Sequence, residues 1–256
     1  MNKPYVLITG ASAGFGKACA ETFAKEGYSL IITGRRHERL QELAKDIQSA
    51  HDVDVVTSSF DVRNEEEVQN AIKTLPEHVK SHISILINNA GLAVGKGPID
   101  EGLSDDWNRM IDTNVKGLLY VSRAVIPLIK QYDGQRQIIN IGSIAGKEVY
   151  PGGNVYCASK HAVDALSKAM RIDLLPHNIK VSNIAPGAAE TEFSLVRFKG
   201  NQEMADSVYD GFDPLIAQDI ADTALFLATR PAHVNINDVV IMPTAQASAT
   251  VLNKEL

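Results

Sequence analysis

Cysteine is almost missing from this chain: Cys19 and Cys157 are the only two among 256 residues. Neither has paired-ligand spacing, so a disulfide framework and a structural zinc are excluded as organising devices, and no metal is expected. No apolar run approaches the roughly 20 residues needed to span a bilayer, and strand-like residues begin at Tyr5, leaving no stretch for a signal peptide; a cytoplasmic protein is expected. Basic runs are missing too. With 25 basic and 31 acidic residues the formal net charge is −6, which argues against nucleic acid or an anionic membrane as partner. Internal repeats, low-complexity segments and Pro/Gly/Ser linkers are absent, so residues 1–256 read as a single domain able to bury a large core.

What is present is an alternation of short apolar runs with helix-forming runs. Tyr5–Thr9, Ser29–Thr33, Val53–Phe60, Ile83–Ile87, Ile138–Ile141, Lys180–Ile184 and Val239–Met242 read as buried strands, separated by stretches of helical period. One of these runs from about Asp105 to Lys130 and another from Val155 to Leu175. The pattern predicts an α/β fold, a doubly wound Rossmann-type parallel sheet of about seven strands with helices on both faces. One long irregular section, Pro186 to about Pro214, interrupts the alternation; loops of that length are usually functional, and 187–214 reads as a substrate lid. The tail, 243–256, reads as folding back.

The first strand runs directly into Gly10-Ala-Ser12-Ala-Gly14-Phe15-Gly16 and then into an amphipathic helix that stops near Gly27. Glycines there let the backbone turn tightly and approach a pyrophosphate, which rests on the free N–H groups of the helix. The spacing is G-x-x-x-G-x-G rather than G-x-G-x-x-G, and a plain turn is the alternative. About 20 residues on, where an acidic side chain would hold the ribose 2′-hydroxyl of NAD, stand Arg35 and Arg36. Two guanidiniums can grip a 2′-phosphate, so NADP(H) is expected; the alternative is a pair of solvated arginines, with Arg39 on the same face. Asp61 and Val62, ending the third strand, are the expected resting place of an adenine ring, or else a ligand-neutral turn. Asn88-Asn89-Ala90-Gly91 ends the fourth strand with amides able to satisfy backbone groups where a nucleotide crosses the sheet edge.

Chemistry concentrates between Ser143 and Lys160. Tyr156 and Lys160 are four apart in a helix-forming run, so both project from one face. An ammonium beside a phenol favours phenolate and lowers its pKa from about 10 toward working pH, as a general acid and base requires. Ser143, following the fifth strand, can hold the oxygen that the tyrosine protonates. Tyr-x-x-x-Lys also arises by chance on helices, and Cys157 beside it reads as a small packing residue. Asn114 is a polar side chain inside a helical run, either structural or a holder of water. Further on, Pro186 and Gly187 follow a strand, and Thr191 caps a helix or binds a carboxamide. Phe193–Phe198 mixes apolar residues with Arg197, a composition suited to a lid. A guanidinium in apolar surroundings is costly unless an anion completes it, so Arg197 is the expected anchor for an acidic group on the substrate. Tyr150 and Gln246 are expected to add hydrogen bonds, the alternative being a solvated arginine with two packing neighbours.

Taken together, TGASAGFG (9–16), NNAG (88–91), Asn114, Ser143, YCASK (156–160) and PG (186–187) resemble the short-chain dehydrogenase/reductase family over essentially the whole chain. The resemblance implies an oxidoreductase acting on CH–OH and C=O with an Asn114–Ser143–Tyr156–Lys160 tetrad. In it Tyr156 donates the proton, Ser143 orients the substrate, Lys160 perturbs the phenol and binds ribose, and Asn114 holds a proton-relay water, while nicotinamide supplies hydride. It also implies a homotetramer, and the helix around Ala158, Ala162, Ala165 and Ala169 has little of its circumference fit for water. TEFSLVRFKGN (191–201) and INDVVIMPTAQAS (236–248) are similar to a narrower group, the NADP-dependent 3-hydroxy acid dehydrogenases with serine dehydrogenases and malonic semialdehyde reductases. Sulfoacetaldehyde reductases, which make isethionate, look like close relatives. The implied substrate is a small aldehyde or ketone bearing an acidic group, and one arginine can hold either a carboxylate or a sulfonate. A rival of another class, a non-catalytic NADP(H) sensor, needs the glycine turn but not the proton donor.

Overall fold

The computed structural model describes residues 4–254. Seven strands, Tyr5–Ile8 (β1), Ser29–Gly34 (β2), Val55–Ser59 (β3), Ile83–Asn88 (β4), Arg136–Ile141 (β5), Ile179–Pro186 (β6) and Asp238–Ile241 (β7), pair in parallel in the order β3-β2-β1-β4-β5-β6-β7. The strand order reverses between β1 and β4, which opens a crevice at their carboxyl ends, the place where open α/β sheets bind ligands. A parallel sheet needs cover on both faces, and β1, β4 and β6 are accordingly buried at every residue.

Helices Gly14–Lys25 (α1), His37–Ala50 (α2), Glu65–Lys73 (α3), Glu77–Lys80 (α4), Ser104–Ile111 (α5), Leu118–Ile129 (α6), Asn154–Asp173 (α7), Glu192–Arg197 (α8), Gln202–Asp206 (α9) and Ala217–Ala228 (α10) complete the chain. Successive strand side chains point to opposite faces. Val6 and Ile8 therefore join Phe23 of α1, Leu40 of α2 and Ile220 of α10 in one core. Leu7 joins Val68 of α3, Val125 of α6 and Val163 of α7 in the other. Burying each of these side chains contributes about 1.5–3 kcal/mol.

Two expectations are corrected. The single helix expected over Asp105–Lys130 is interrupted at Asp112–Gly117 by a π-helical turn. Gly117 there lies so close to the β3–α3 connection that a Cβ would fall 2.8 Å from Val62 Cγ2. The section Pro186–Pro214, expected to be irregular, contains α8 and α9. Their starts are capped by Thr191 and Asn201, which accept the N–H of Phe193 at 3.2 Å and of Met204 at 3.0 Å. The tail folds back as far as it is described, Asn253 N donating to Ala245 O at 2.8 Å; residues 255 and 256 lie outside the described range. Among the described residues no helix is long and apolar enough to cross a membrane.

Candidate active site

At the end of β1 the chain turns through Gly10 and Gly14 with φ of +68° and +52°, a region open to glycine at little cost. A Cβ on Gly16 would lie 2.5 Å from both Asn89 Nδ2 and Gly10 O, so that position tolerates no side chain. Ala13, the residue before α1, offers no capping side chain, and the first-turn N–H groups remain available to an anion. Asn89 Nδ2 donates to Thr9 O at 2.8 Å and Gly10 O at 3.2 Å, while Thr9 Oγ1 accepts from the N–H of Asn89 and of Ala90. The amide cluster after β4 thus holds the glycine turn in place.

Gly10, Gly14, Asn89 and Ala90 line a groove of about 280 Å³ with Ser12, Phe15, Arg35, Arg36, Asp61, Val62, Gly91 and Thr191. The cradle of glycines, the uncapped helix start and the arginines fit a dinucleotide carrying a 2′-phosphate. Arg36 donates from Nε to Ser12 Oγ at 3.0 Å and from Nη1 to Glu192 at 2.8 Å; Arg39 Nη1 meets the same carboxylate at 2.8 Å. Arg35 is exposed at the groove's edge. Burial alone would raise the Asp61 carboxyl, but hydrogen bonds from Arg63 outweigh it and hold it below the usual carboxylate range. The Asp61 N–H is spent on Glu67 at 2.9 Å, so this residue offers a ring its place at the groove wall rather than a free polar group.

Beside the groove lies a cavity of about 550 Å³ lined by Ser143, Tyr150, Tyr156, Lys160, Pro186, Gly187, Phe193, Arg197 and Gln246. Ser143 leaves β5 in extended backbone and accepts Ala145 N–H at 3.1 Å, capping the short turn Ile144–Gly146. Burial pushes the Tyr156 phenol well above the ordinary tyrosine value, while the adjacent Ser143 hydroxyl acts in the opposite sense. Lys160 donates from Nζ to Ile141 O at 2.9 Å, and burial pushes its pKa down to about 8. The lowering of Tyr156 by Lys160, expected from their spacing, is therefore corrected: the ammonium is directed to the last carbonyl of β5, and burial outweighs other influences on the phenol.

Asn114 sits in the π-helical turn behind Gly91, whose Cβ would lie 3.3 Å from its Oδ1. Its Oδ1 accepts Leu92 N–H at 2.8 Å; its Nδ2 donates to Leu92 O at 2.8 Å and to Ser159 Oγ at 2.9 Å. Both amide hydrogens are used, leaving an oxygen lone pair for a water. Pro186 ends β6, and a Cβ on Gly187 would meet Gln246 Oε1 at 2.4 Å. That oxygen accepts Ala188 N–H at 2.7 Å and Gln246 Nε2 donates to Ser248 O at 3.1 Å, so Gln246 chiefly braces the root of the lid.

Over the cavity, Phe193 of α8 meets Tyr156 with ring centroids 5.7 Å apart. The Arg197 guanidinium lies 5.3 Å from the Tyr150 ring centroid and 5.7 Å from that of Tyr156. Arg197 Nε and Tyr150 OH are both buried and, among the described residues, neither makes a hydrogen bond of ordinary geometry, although the Arg197 guanidinium and the Cys157 thiol both act on the Tyr150 phenol. Thr191 serves as helix cap, its side chain 3.5 Å from where a Gly14 Cβ would stand.

Two latches on this lid escape any reading of sequence. Glu192 is held by Arg36 and Arg39 of the α2 start, and Lys199 pairs with Asp106 of α5 at 2.8 Å. Among the described residues no group of three or more His, Cys, Asp or Glu is placed to hold a metal ion.

A family model described as short chain dehydrogenase matches residues 4–201. Sulfoacetaldehyde reductase 2 of Chromohalobacter salexigens is 47% identical over 242 residues, 94% of this chain and 95% of that protein. NADP-dependent 3-hydroxy acid dehydrogenase YdfG of Salmonella typhi is 45% identical over 246 residues, 95% of this chain and 96% of its own. The solved closed form of serine dehydrogenase complexed with NADP+ is similar with a TM-score of 0.90 at 41% identity, covering 98% of this chain and 100% of that one.

Proposed function

The chain belongs to the short-chain dehydrogenase family, and from that premise we propose an NADP(H)-dependent oxidoreductase that reduces a small carbonyl compound carrying an acidic group. Its product is the hydroxy acid, of the 3-hydroxy acid or serine type, and the reverse oxidation uses the same site. NADPH, when bound, supplies the hydride. Tyr156 gives the proton to the carbonyl oxygen from its phenol, Ser143 holds that oxygen, and Lys160 orients the ribose while keeping positive charge near the phenol. A phenol kept protonated by burial is in the correct form to donate. Asn114, through its remaining lone pair, holds a water behind Lys160, and Arg35 and Arg36 take the 2′-phosphate.

The observation that carries the substrate class is the pair of buried donors, Arg197 Nε and Tyr150 OH, that make no hydrogen bond of ordinary geometry among the described residues and line the same cavity as Ser143 and Tyr156. A buried donor without a partner costs about 1–3 kcal/mol, which a carboxylate or sulfonate spanning both would remove. The 47% identity to a sulfoacetaldehyde reductase favours, as a second reading, reduction of sulfoacetaldehyde to isethionate. A non-catalytic sensor would have no use for donors converging on a cavity beside Tyr156. Kinetics with malonic semialdehyde, sulfoacetaldehyde and a neutral aldehyde of similar size test this. Arg197→Ala should lower kcat/KM for the acids by about 2–4 kcal/mol and barely touch the neutral compound. Equal losses would remove the acidic-substrate reading.

Residues 4–254 act in this reading as one domain within a homotetramer. Ile172 and Leu175 are 73% and 71% exposed at the end of α7 and its following turn, and Ala158, Ala165 and Ala169 line its outer side, a surface suited to another copy. Cys19 and Cys157 are unpaired, as suits a cytoplasmic enzyme.

A further inference from the structure

Strands β4 to β7 carry four polar side chains in one register row: Asn88 opposite Asn140, Asn140 opposite Asn183, and Asn183 opposite Asp238. Residues in one row share a face, here the face covered by α6 and α7. Asn88 Nδ2 donates to Ser122 Oγ at 3.0 Å and Asn140 Oδ1 at 2.9 Å, Asn140 Nδ2 to Ser167 Oγ at 2.9 Å, and Asn183 Nδ2 to Asp238 Oδ1 at 2.8 Å. The row is joined in two segments, Asn88–Asn140 and Asn183–Asp238, and Asn88 Oδ1 and Asn183 Oδ1 are buried without a partner among the described residues. The bonds that are made tie these strands to α6, α7 and β7, since a buried amide is costly without them.

The row ends at an ion cluster. Lys147 donates to Asp164 of α7 at 2.5 Å and to Asp238 of β7 at 2.6 Å, and Lys168 takes the other Asp164 oxygen at 2.6 Å. Lys147 and Asp164 are largely shielded, with side-chain exposures of 20% and 13%. Burial works against both charges, yet the mutual hydrogen bonds outweigh it, raising the Lys147 pKa and lowering that of Asp164.

Lys147 stands four residues after Ser143, at the end of the turn that Ser143 caps. Both ends of this turn are pressed onto their surroundings. A Cβ on Gly142 would lie 2.4 Å from Asn183 Oδ1, and one on Gly146 2.5 Å from Lys160 O. We infer that Lys147, clamped by Asp164 and Asp238, is a positioning residue that fixes the turn bearing Ser143 against the helix bearing Tyr156, and so sets the distance between the two hydroxyls. It lines neither the cavity nor the groove. The inference rests on the proposed role of Tyr156 as proton donor.

The test uses the full chain with NADPH and whichever acidic aldehyde it turns over, following kcat, KM and NADPH binding by fluorescence. Misplacing a catalytic group by about 1 Å costs on the order of 100-fold, so Lys147→Met should lower kcat roughly 10- to 100-fold. NADPH Kd should stay within about twofold. The loss should fall on kcat, with KM changed no more than a few-fold, because the clamp acts on the placement of Ser143 and not on substrate contacts. Lys147→Arg should restore most of the activity, and Asp238→Asn, which removes one leg of the clamp, should give a smaller loss of the same kind. A Lys147→Met enzyme with unchanged kcat, or with a reduced kcat that Lys147→Arg does not restore, would overturn the inference. Should that variant not fold, wild-type kcat in Asp238→Asn would overturn it equally. Failure of the proton-donor reading is recognised separately, by a Tyr156→Phe enzyme that keeps more than a tenth of its kcat.

Discussion

The floor of the cavity and its lid are held by opposite means. Under the floor, β5 meets α7 and β6 meets β7 through buried amides, and close contacts leave no room for a methyl group at Gly142 or Gly146. The lid is held by ion pairs whose partners at its start are 44–50% exposed, and around Gly200, at φ +90°, nothing lies within 4 Å of a notional Cβ. Exposed pairs are worth about 0–1 kcal/mol and weaken with salt, whereas a buried backbone contact cannot give way without moving an element. The placement of Ser143 and Tyr156 is thus set in the rigid part and access to the cavity in the yielding part, as expected where binding elements are drawn from the low-stability end of a fold.

The sharpest break of the floor is chemical. Tyr156→Phe should cost about 10²–10⁴ in kcat while leaving NADPH affinity within a few-fold, measured by steady-state kinetics and fluorescence titration. Next, removing Arg35 and Arg36 together should weaken NADPH binding roughly tenfold to a hundredfold and leave NADH unaffected, since charge-assisted bonds to phosphate contribute about 1.5–3 kcal/mol. Equal wild-type Kd values for the two cofactors would end the NADP reading.

Overpacking the floor gives a structural measure. Gly146→Ala would place its methyl against the Lys160 backbone, and overpacking costs about 1–3 kcal/mol, a fall in Tm of roughly 2–12 °C for a chain of this size. A Tm within 1 °C of wild type would mean that the floor is softer than argued.

Lys160 makes the floor sensitive to pH. Its pKa of about 8 in the fold lies below the ordinary lysine value, so between the two the unfolded chain binds the extra proton. Stability relative to Lys160→Met should therefore rise as pH increases from about 8 to about 10.4, and no further above that. The raised Tyr156 pKa acts with opposite sign above pH 10 but cancels in the comparison. A difference in Tm independent of pH over that window would contradict the burial of the charge.

The smallest effect belongs to the lid. Glu192→Gln and Asp106→Asn should each change Tm by no more than about 3 °C, the effect of an exposed or partly exposed pair. Either should speed trypsin cleavage after Arg197 or Lys199, because α8 then loses a latch at one end. Unaltered cleavage in both would place the hold on the lid elsewhere, in the Gly95 N–H to Arg197 O bond and the Tyr209 contacts.

Much of this was legible along the chain. The glycine turn, the alternation of strand and helix, the Tyr156–Lys160 pair and the arginines after β2 are patterns of near neighbours, and backbone geometry converts such spacing directly into position. Thr191 is named as a cap from the sequence, but helices of six and five residues are too short for periodicity to announce, and Asn201's capping role came only with the structure. Where Lys160 points, which way burial moves Tyr156, that Gln246 braces the lid's root, and that Glu192 meets arginines 153 and 156 residues away were decided by tertiary structure alone. Desolvation and ion pairing depend on which distant segments the sheet order brings together, and no local spacing encodes that.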